Sequence, residues 1–285
     1  MRVWTPAKVN LFLEVLGRRP DGYHDLATLM VTVGLFDTLE LRPAASGAVT
    51  LHCDHPGLST GADNLVCRAA RLMRDRFGVG AGVDLRLTKR IPLAAGLAGG
   101  SSDAAATLAG LNRLWRLGLD DATLGRLGAE LGSDVTFFFS APAAWCTGRG
   151  EIVAPTPIGR PLYLVLACPP VGLSTASVFG ALTLPDRPVD GEPIRRALAD
   201  GDVTELGRLL FNRLEEPAMR LCPEVARLRA RLAELGPAGV LMSGSGSTVF
   251  ALAADADHAE CLSRALTAVK EDGVRICVLV VRSCD

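Results

Sequence analysis

Apolar and polar residues alternate over residues 7–16, with Ala7, Val9, Leu11, Leu13 and Val15 on one side and Lys8 and Asn10 on the other. A period of two marks a strand, so this segment sets two polar side chains next to each other on one face. Residues 31–41 and 83–87 have further strand character, the second through Val83, Leu85 and Leu87, and residues 64–74 between them have helical composition. After Pro92 the chain becomes a run of small residues. It then enters a helix on whose face Ala104, Leu108, Leu111 and Trp115 recur with helical spacing, and Gly118 ends it. A shorter helix over 122–131 runs into Gly132-Ser133-Asp134 and an apolar stretch, 135–139.

Pro155, Pro157, Gly159 and Pro161 crowd into residues 153–161. Such punctuation sets a domain boundary, giving residues 1–156 and 157–285. Beyond it the pattern predicts a strand over 162–167, then helical segments, one of which carries Val225, Leu228, Leu232 and Leu235 on one face. A strand–turn–strand over 240–252, a helix over 258–270 and a strand over 274–281 follow. Strands and helices thus mix in two α+β domains without an internal repeat.

Composition narrows the function. Of 285 residues, 49% are hydrophobic and 21% charged, enough for packed cores and unlike a disordered chain. Lys and Arg number 30 against 31 Asp and Glu, so no whole-molecule field steers the chain to nucleic acid or an anionic membrane. Phosphate recognition must then be local. The eight cysteines contain no C-x-x-C pair, and His52 and His55 beside Cys53 lack a second ligand cluster, which points to free thiols in a reducing compartment. The apolar stretch after Arg2 is interrupted by Glu14 and closed by Arg18 and Arg19 with no small-residue cleavage site, and no apolar run nears the ~18 residues that span a bilayer. A soluble, cytoplasmic protein is expected.

The most informative stretch is Lys89-Arg90-Ile91-Pro92-Leu93-Ala94-Ala95-Gly96-Leu97-Ala98-Gly99-Gly100-Ser101-Ser102-Asp103. Small residues feeding a helix N-terminus let backbone approach a phosphate and aim unpaired N–H groups and the helix dipole at it. An ordinary strand–turn–helix with a serine cap fits the same letters. No lysine follows Gly100, which excludes a Walker A loop, and Pro92 breaks the strand-to-loop junction that a dinucleotide fold needs.

Pro6-Ala7-Lys8-Val9-Asn10-Leu11, the loop ending Gly99-Gly100-Ser101-Ser102, and Ser243-Gly244-Ser245-Gly246 resemble the three motifs of the GHMP kinases. With Gly22-Tyr23-His24, Asp63-Asn64-Leu65, Gly132-Ser133-Asp134 and Phe179 added, the chain is most similar to the branch acting on a cytidine-diphosphate-linked methylerythritol, from about residue 3 to 280. The resemblance implies an N-terminal domain like domain 2 of ribosomal protein S5, a ferredoxin-like C-terminal domain, and a cleft between them. It implies ATP as co-substrate, magnesium with ligands the motifs do not identify, transfer to the substrate's 2-hydroxyl, and no nucleic-acid or membrane partner. Other members, acting on homoserine, mevalonate or a sugar, and a non-catalytic nucleotide-binding module are the alternatives; the set Tyr23, His24 and Phe179 separates the first, the pair Lys8 and Asp134 the second.

On this resemblance Asp134 is the catalytic carboxylate that takes the hydroxyl proton, and Lys8 keeps it ionised and stabilises the transferring phosphoryl. Tyr23 and Phe179 sandwich the cytosine, His24 bonds its edge, Asn10 orients the hydroxyl and Thr175 touches the diphosphate. The loop from Pro92 to Ser102 takes the ATP phosphates, Asn64, Lys89 and Asn112 lie near adenine or ribose, and Gly244, Ser245 and Gly246 close beside the phosphates. Ala94, Ala95 and Ala98 stand where the family pattern has more glycine, which restricts positive φ there. Asp103 stands where relatives often have asparagine, and such a carboxylate near phosphates needs magnesium or Lys89 to offset it.

Overall fold

The computed structural model describes residues 1–268 and 276–284. The chain forms two compact units, one of Met1–Ala7, Leu35–Ile91 and Ala98–Ser140, the other of Lys8–Gly34, Pro92–Leu97 and Ala141–Asp285. Strands β1 (Arg2–Arg18) and β2 (His24–Ala44) each contribute residues to both.

In the first unit β2 pairs antiparallel with β4 (Gly82–Thr88), and β3 (Val49–Cys53) lies parallel on the other side of β4. Leu39, Leu41, Val83 and Leu85 from the strands pack with Val66, Ala69, Ala70 and Met73 of α1 (Leu65–Phe77), Leu108 and Leu111 of α2 (Gly99–Leu114), and Leu124 and Leu127 of α3 (Asp121–Leu131). The alternating leucines and valines of β4 supply one side of this core and the helical spacing of α2 the other. Residues 135–139, read as an apolar run, belong to a 3-10 helix, Ser133–Phe139, with Val135 and Phe137 buried.

In the second unit β2 pairs with β5 (Ala143–Gly148), which pairs with β6 (Ile152–Pro155), so part of the proline-rich stretch is strand. Next along the chain come β7 (Tyr163–Cys168), α4 (Thr175–Gly180), α5 (Glu192–Asp200), α6 (Val203–Leu209) and β8 (Phe211–Asn212), which lies parallel to β1. Helices α7 (Glu215–Leu221) and α8 (Pro223–Glu234), strands β9 (Gly239–Met242) and β10 (Val249–Ala253), helix α9 (Ala256–Ala268) and strand β11 (Cys277–Arg282) complete it. A four-stranded antiparallel sheet has the order β11-β7-β10-β9. That is fourth, first, third, second by chain order, with α7, α8 and α9 packed on Val165, Ala167, Val249 and Ala251, the βαββαβ arrangement of a ferredoxin-like unit. Residues 269–270 and 274–275, read as the ends of a helix and a strand, lie outside the described residues.

Glu14, which reads in sequence as a charge breaking an apolar run, is fully buried. Its carboxylate accepts from Arg213 at 2.8 and 2.7 Å and from the backbone N–H of Val15 and Val189, each at 2.8 Å. Burial works against its ionised form, but these donors outweigh that and hold its carboxyl below the usual range. No helix among the described residues is long and apolar enough to cross a membrane.

Candidate active site

Lys8 and Asn10 do lie on one face of β1, but that face is not solvated: each is only 3% exposed. In the second unit the Lys8 ammonium donates to Asn10 Oδ1 at 2.6 Å and to the carbonyl of Gly96 at 3.0 Å. Asn10 Nδ2 donates to Thr28 Oγ1 at 2.8 Å, and that hydroxyl donates to the carbonyl of Phe12. The relay fixes which way the Asn10 amide points, so its oxygen faces the ammonium. Asn10 therefore orients Lys8, where the motif reading had it orienting the substrate hydroxyl.

Gly96 also accepts from Ser243 Oγ at 3.0 Å, and Ser243 Oγ accepts from the N–H of Asn10 at 3.3 Å. Thr248 N–H donates to the carbonyl of Ala95. Segment 92–97 is thereby fastened to the Ser243–Thr248 turn and to Lys8. Gly96 has φ +75°, and a Cβ there would lie 2.1 Å from the Ser243 carbonyl oxygen, so this approach requires glycine. Gly244 and Gly246 also have positive φ, and Asn212, which the sequence reading did not single out, donates Nδ2 to the carbonyls of Met242 and Gly244 and so fixes the turn. Ala94 and Ala98 adopt φ 51° and 54°, so two of the three alanines that stand where the family pattern has more glycine take up the left-handed conformation. Each costs about 1–2 kcal/mol relative to an unstrained residue.

In the first unit, α2 begins at Gly99 with Ala98 as N-cap and no side-chain capping bond, and its first turn has no acidic residue. Ser101 and Ser102 are inside the helix and do not cap it, which removes the ordinary serine-capped reading of the loop. The buried Ser102 Oγ has no hydrogen-bond partner among the described residues. Open N–H groups, the positive end of the helix dipole and a spare hydroxyl converge where an anion is best stabilised.

The nucleotide-side assignments fare differently. Asn64 is the N-cap of α1, accepting from Val66 N–H at 2.9 Å and donating to the carbonyl of Ser59. Lys89 is 2% exposed, its ammonium held by the carboxylates of Asp37 and Asp103, the latter at 2.9 Å. The offset for Asp103 thus comes from Lys89, as charge balance required, but it leaves no bare ammonium for a ligand. Asn112, expected near adenine or ribose, sits at the far end of α2. Its amide is closed at both ends on the backbone of Leu119, at 2.9 and 3.0 Å. It lies 13 residues beyond Gly99 in α2, about 20 Å along the axis, so it braces the helix's far end and is out of reach of the loop.

Asp134 is half-buried in the first turn of the 3-10 helix Ser133–Phe139, in the first unit. Among the residues that the resemblance assigns to the cytosine, all in the second unit, Phe179 stacks directly on His24, with centroids 4.9 Å apart and planes at 27°. Tyr23 is 54% exposed, with the Arg149 guanidinium 4.9 Å over its ring. The structure thus pairs Phe179 with His24. Burial, and then the charge of Arg18, hold His24 below the usual imidazole range, which favours a neutral ring able both to donate and to accept. Thr175 Oγ1 and Ser245 Oγ are 2.9 Å apart, linking α4 to the glycine turn. Among the described residues no group of three or more His, Cys, Asp or Glu side chains is placed to hold a metal ion.

Comparison with known proteins bears on the same segments. Residues 64–141 match the GHMP kinases N terminal domain and residues 194–272 the GHMP kinases C terminal domain. A protein of Shouchella clausii (strain KSM-K16) named 4-diphosphocytidyl-2-C-methyl-D-erythritol kinase is 46% identical over 248 residues, 87% of this chain and 84% of its own. The Pelotomaculum thermopropionicum protein of the same name is 46% identical over 255 residues, 89% of each. A crystal structure of 4-(cytidine 5'-diphospho)-2C-methyl-D-erythritol kinase superposes with a TM-score of 0.82 at 40% identity over 100% of both chains.

Proposed function

Because this chain belongs to the GHMP kinase family, we propose that it transfers the γ-phosphoryl group of ATP to the 2-hydroxyl of 4-diphosphocytidyl-2-C-methyl-D-erythritol, a step toward isoprenoid precursors. The observation that carries this reading is the placement of Lys8. A buried ammonium, aimed by Asn10 and tied to the carbonyl of Gly96 in the loop itself, is a fixed positive charge of the kind phosphoryl transfer needs. The relatives of that name supply the choice of acceptor.

In the reaction the bond from the γ-phosphorus to the β-bridging oxygen breaks as the acceptor oxygen bonds to phosphorus. Asp134 receives the hydroxyl proton, and Lys8 offsets charge on the transferring group. The open first turn of α2 holds the phosphates. Magnesium, when bound, would supply charge neutralisation for the phosphates, and the Ser102 hydroxyl, unpartnered among the described residues, would fit a ligand to it. His24 and Phe179 present flat rings and a neutral imidazole to the cytosine. We assign residues 1–156 to the N-terminal kinase domain and 157–285 to the C-terminal one, and the two family matches fall on either side of that division. The chain's eight cysteines lack any C-x-x-C spacing, which supports a cytoplasmic location.

A coupled assay of ADP release over a panel of alcohols tests the assignment. Turnover confined to the cytidine-diphosphate-linked acceptor is expected. Equal or better turnover of mevalonate, homoserine or a sugar would overturn it.

A further inference from the structure

We propose that Cys168 and Cys277 are a redox modification site, joined by peroxide into a reversible cross-strand disulfide that loosens the hold on loop 92–97. The two residues stand directly opposite each other where β7 pairs with β11. Directly opposite residues share a face of the sheet, with Cα atoms roughly 4.5–5.5 Å apart, inside the about 4.4–6.8 Å that a disulfide spans. Their environments differ. Cys277 is exposed on the edge strand of the four-stranded sheet, whereas Cys168 is buried in a strand with neighbours on both sides. An oxidant in solvent therefore meets Cys277 first.

Burial pushes the Cys168 thiol up to about 11, the Thr248 hydroxyl opposing this and nearby Cys277 adding to it. Such a thiol does not itself attack an oxidant in solvent and suits the second, resolving role. In the first step the Cys277 thiolate attacks one oxygen of hydrogen peroxide. The S–O bond forms as the O–O bond breaks, hydroxide leaves and takes up a proton as water, and Cys277 becomes a sulfenic acid. The Cys168 sulfur then attacks the Cys277 sulfur. The S–S bond forms, the S–O bond breaks, and hydroxide leaves with the Cys168 proton as a second water. The two thiols are oxidised by two electrons and the peroxide is reduced by the same two. In a reducing compartment such a bond is transient, as suits a sensor.

The buried partner connects this pair to the loop. Thr248 immediately precedes β10, on the opposite side of β7 from β11. It is fully buried and donates its hydroxyl to Cys168 Sγ at 3.3 Å. Its N–H donates to the carbonyl of Ala95, and its carbonyl accepts from the N–H of Ser243 at 2.9 Å. Turning the Cys168 sulfur toward β11 takes the acceptor away from Thr248 and leaves a buried hydroxyl unsatisfied. Thr248 must shift to recover a partner. That shift is carried to Ala95 and Ser243, and so to the carbonyl of Gly96 that holds Lys8.

The test treats wild type, Cys277→Ser and Cys261→Ser with hydrogen peroxide, blocks the remaining thiols, and reads tryptic peptides by mass before and after dithiothreitol. Cys261, exposed on α9, is the control, and Cys277→Ser changes an exposed residue and spares the buried one. Wild type and Cys261→Ser should each give a peptide pair linked through Cys168 and Cys277 that dithiothreitol separates, and Cys277→Ser should give none. Oxidised wild type should turn over the cytidine-diphosphate-linked acceptor about fivefold or more slowly than the reduced enzyme and recover with dithiothreitol, while its Thr248 amide exchanges hydrogen about tenfold faster. Cys277→Ser should keep its turnover through the same treatment. Absence of the linked peptides once the Cys277 thiol is consumed overturns the proposal, and so does inactivation of Cys277→Ser to the same degree as wild type. Linked peptides with equal turnover in an enzyme active in both states overturn the connection to the loop. A protein inactive in both states that still shows the linked peptides and the faster Thr248 exchange upholds the redox site and refutes the choice of acceptor instead.

Discussion

Replacing Gly96 by alanine should damage both folding and chemistry. The residue has φ +75°, and the new Cβ would sit 2.1 Å from the Ser243 carbonyl oxygen and 3.1 Å from that of Gly246. Holding alanine in the left-handed region costs about 1–2 kcal/mol. Relieving a contact more than an ångström too short requires the loop or the turn to move, and movement of the loop stretches both bonds to the Gly96 carbonyl, from Lys8 at 3.0 Å and Ser243 at 3.0 Å. The neutral bond contributes about 0.5–1.5 kcal/mol and the charged one about 1.5–3 kcal/mol. A total loss of roughly 3–6 kcal/mol follows. Urea unfolding should report that loss, and kcat should fall at least about tenfold in protein that remains folded, because tenfold corresponds to only about 1.4 kcal/mol of misplaced Lys8. Gly100→Ala is the control: its Cβ meets nothing closer than 3.6 Å, and alanine favours helix by up to about 1 kcal/mol. If Gly96→Ala matched wild type in unfolding midpoint and kcat, or if Gly100→Ala were the less stable, the account of the loop would be refuted.

Asp134→Asn keeps shape but removes charge and proton acceptor, so kcat should drop by about 10²-fold or more while ATP-analogue binding persists; near wild-type turnover would exclude it as the base. Phe179→Ala should raise KM for the cytidine substrate by about one to two decades, from roughly 1–3 kcal/mol of stacking, and leave KM for ATP unchanged; the reverse split would mean the two sides are assigned backwards. Ala98→Gly relieves about 1–2 kcal/mol of left-handed strain but loosens the unfolded chain by about 0.4–1 kcal/mol, so the variant should be as stable as wild type or up to about 1.5 kcal/mol more so, and a loss of 2 kcal/mol would contradict the strain assigned to Ala98. Asp103 binds its proton more tightly folded than unfolded, so its stabilising contribution is full below about 3.8 and lost as pH rises through about 6. Unfolding of Asp103→Asn and wild type should therefore diverge in favour of the variant from pH 4 to 8, by up to about 3 kcal/mol at 1.4 kcal/mol per pH unit, and parallel curves would refute the raised carboxyl.

Local pattern made the backbone of this site readable, and distant partners decided the rest. The small-residue run before α2 and the leucine spacing within it are local signals, and both appear where the pattern put them. Strand β1 was readable for the same reason, although its alternation implies a solvated polar face. That face is buried because Thr28, Gly96 and Ser243 cover it, 18 to 233 residues away in sequence from Asn10. Asn64 and Asn112 illustrate a different limit. An amide that caps a helix and one that braces a turn are identical letters, and the hydrogen bonds to Val66 and to Leu119 depend on partners that the letters do not name. Asp37 did leave a trace, a carboxylate between Phe36 and Thr38 in the largely apolar run 31–41, which is costly to bury unless paired. Strand β6 was hidden because Pro155 and its neighbours read as a linker, yet a short edge strand tolerates a proline at its end.

The Gly96 carbonyl oxygen receives both Lys8 and Ser243, and an oxygen with two lone pairs is then saturated. Loop, lysine and glycine turn consequently behave as one mechanical part with a single degree of freedom. A displacement of residues 94–97 is transmitted to the ammonium at once, with no slack to absorb it. For an inhibitor this offers a target distinct from either substrate: a molecule that wedges the loop away from Ser243 would disarm Lys8 without touching it.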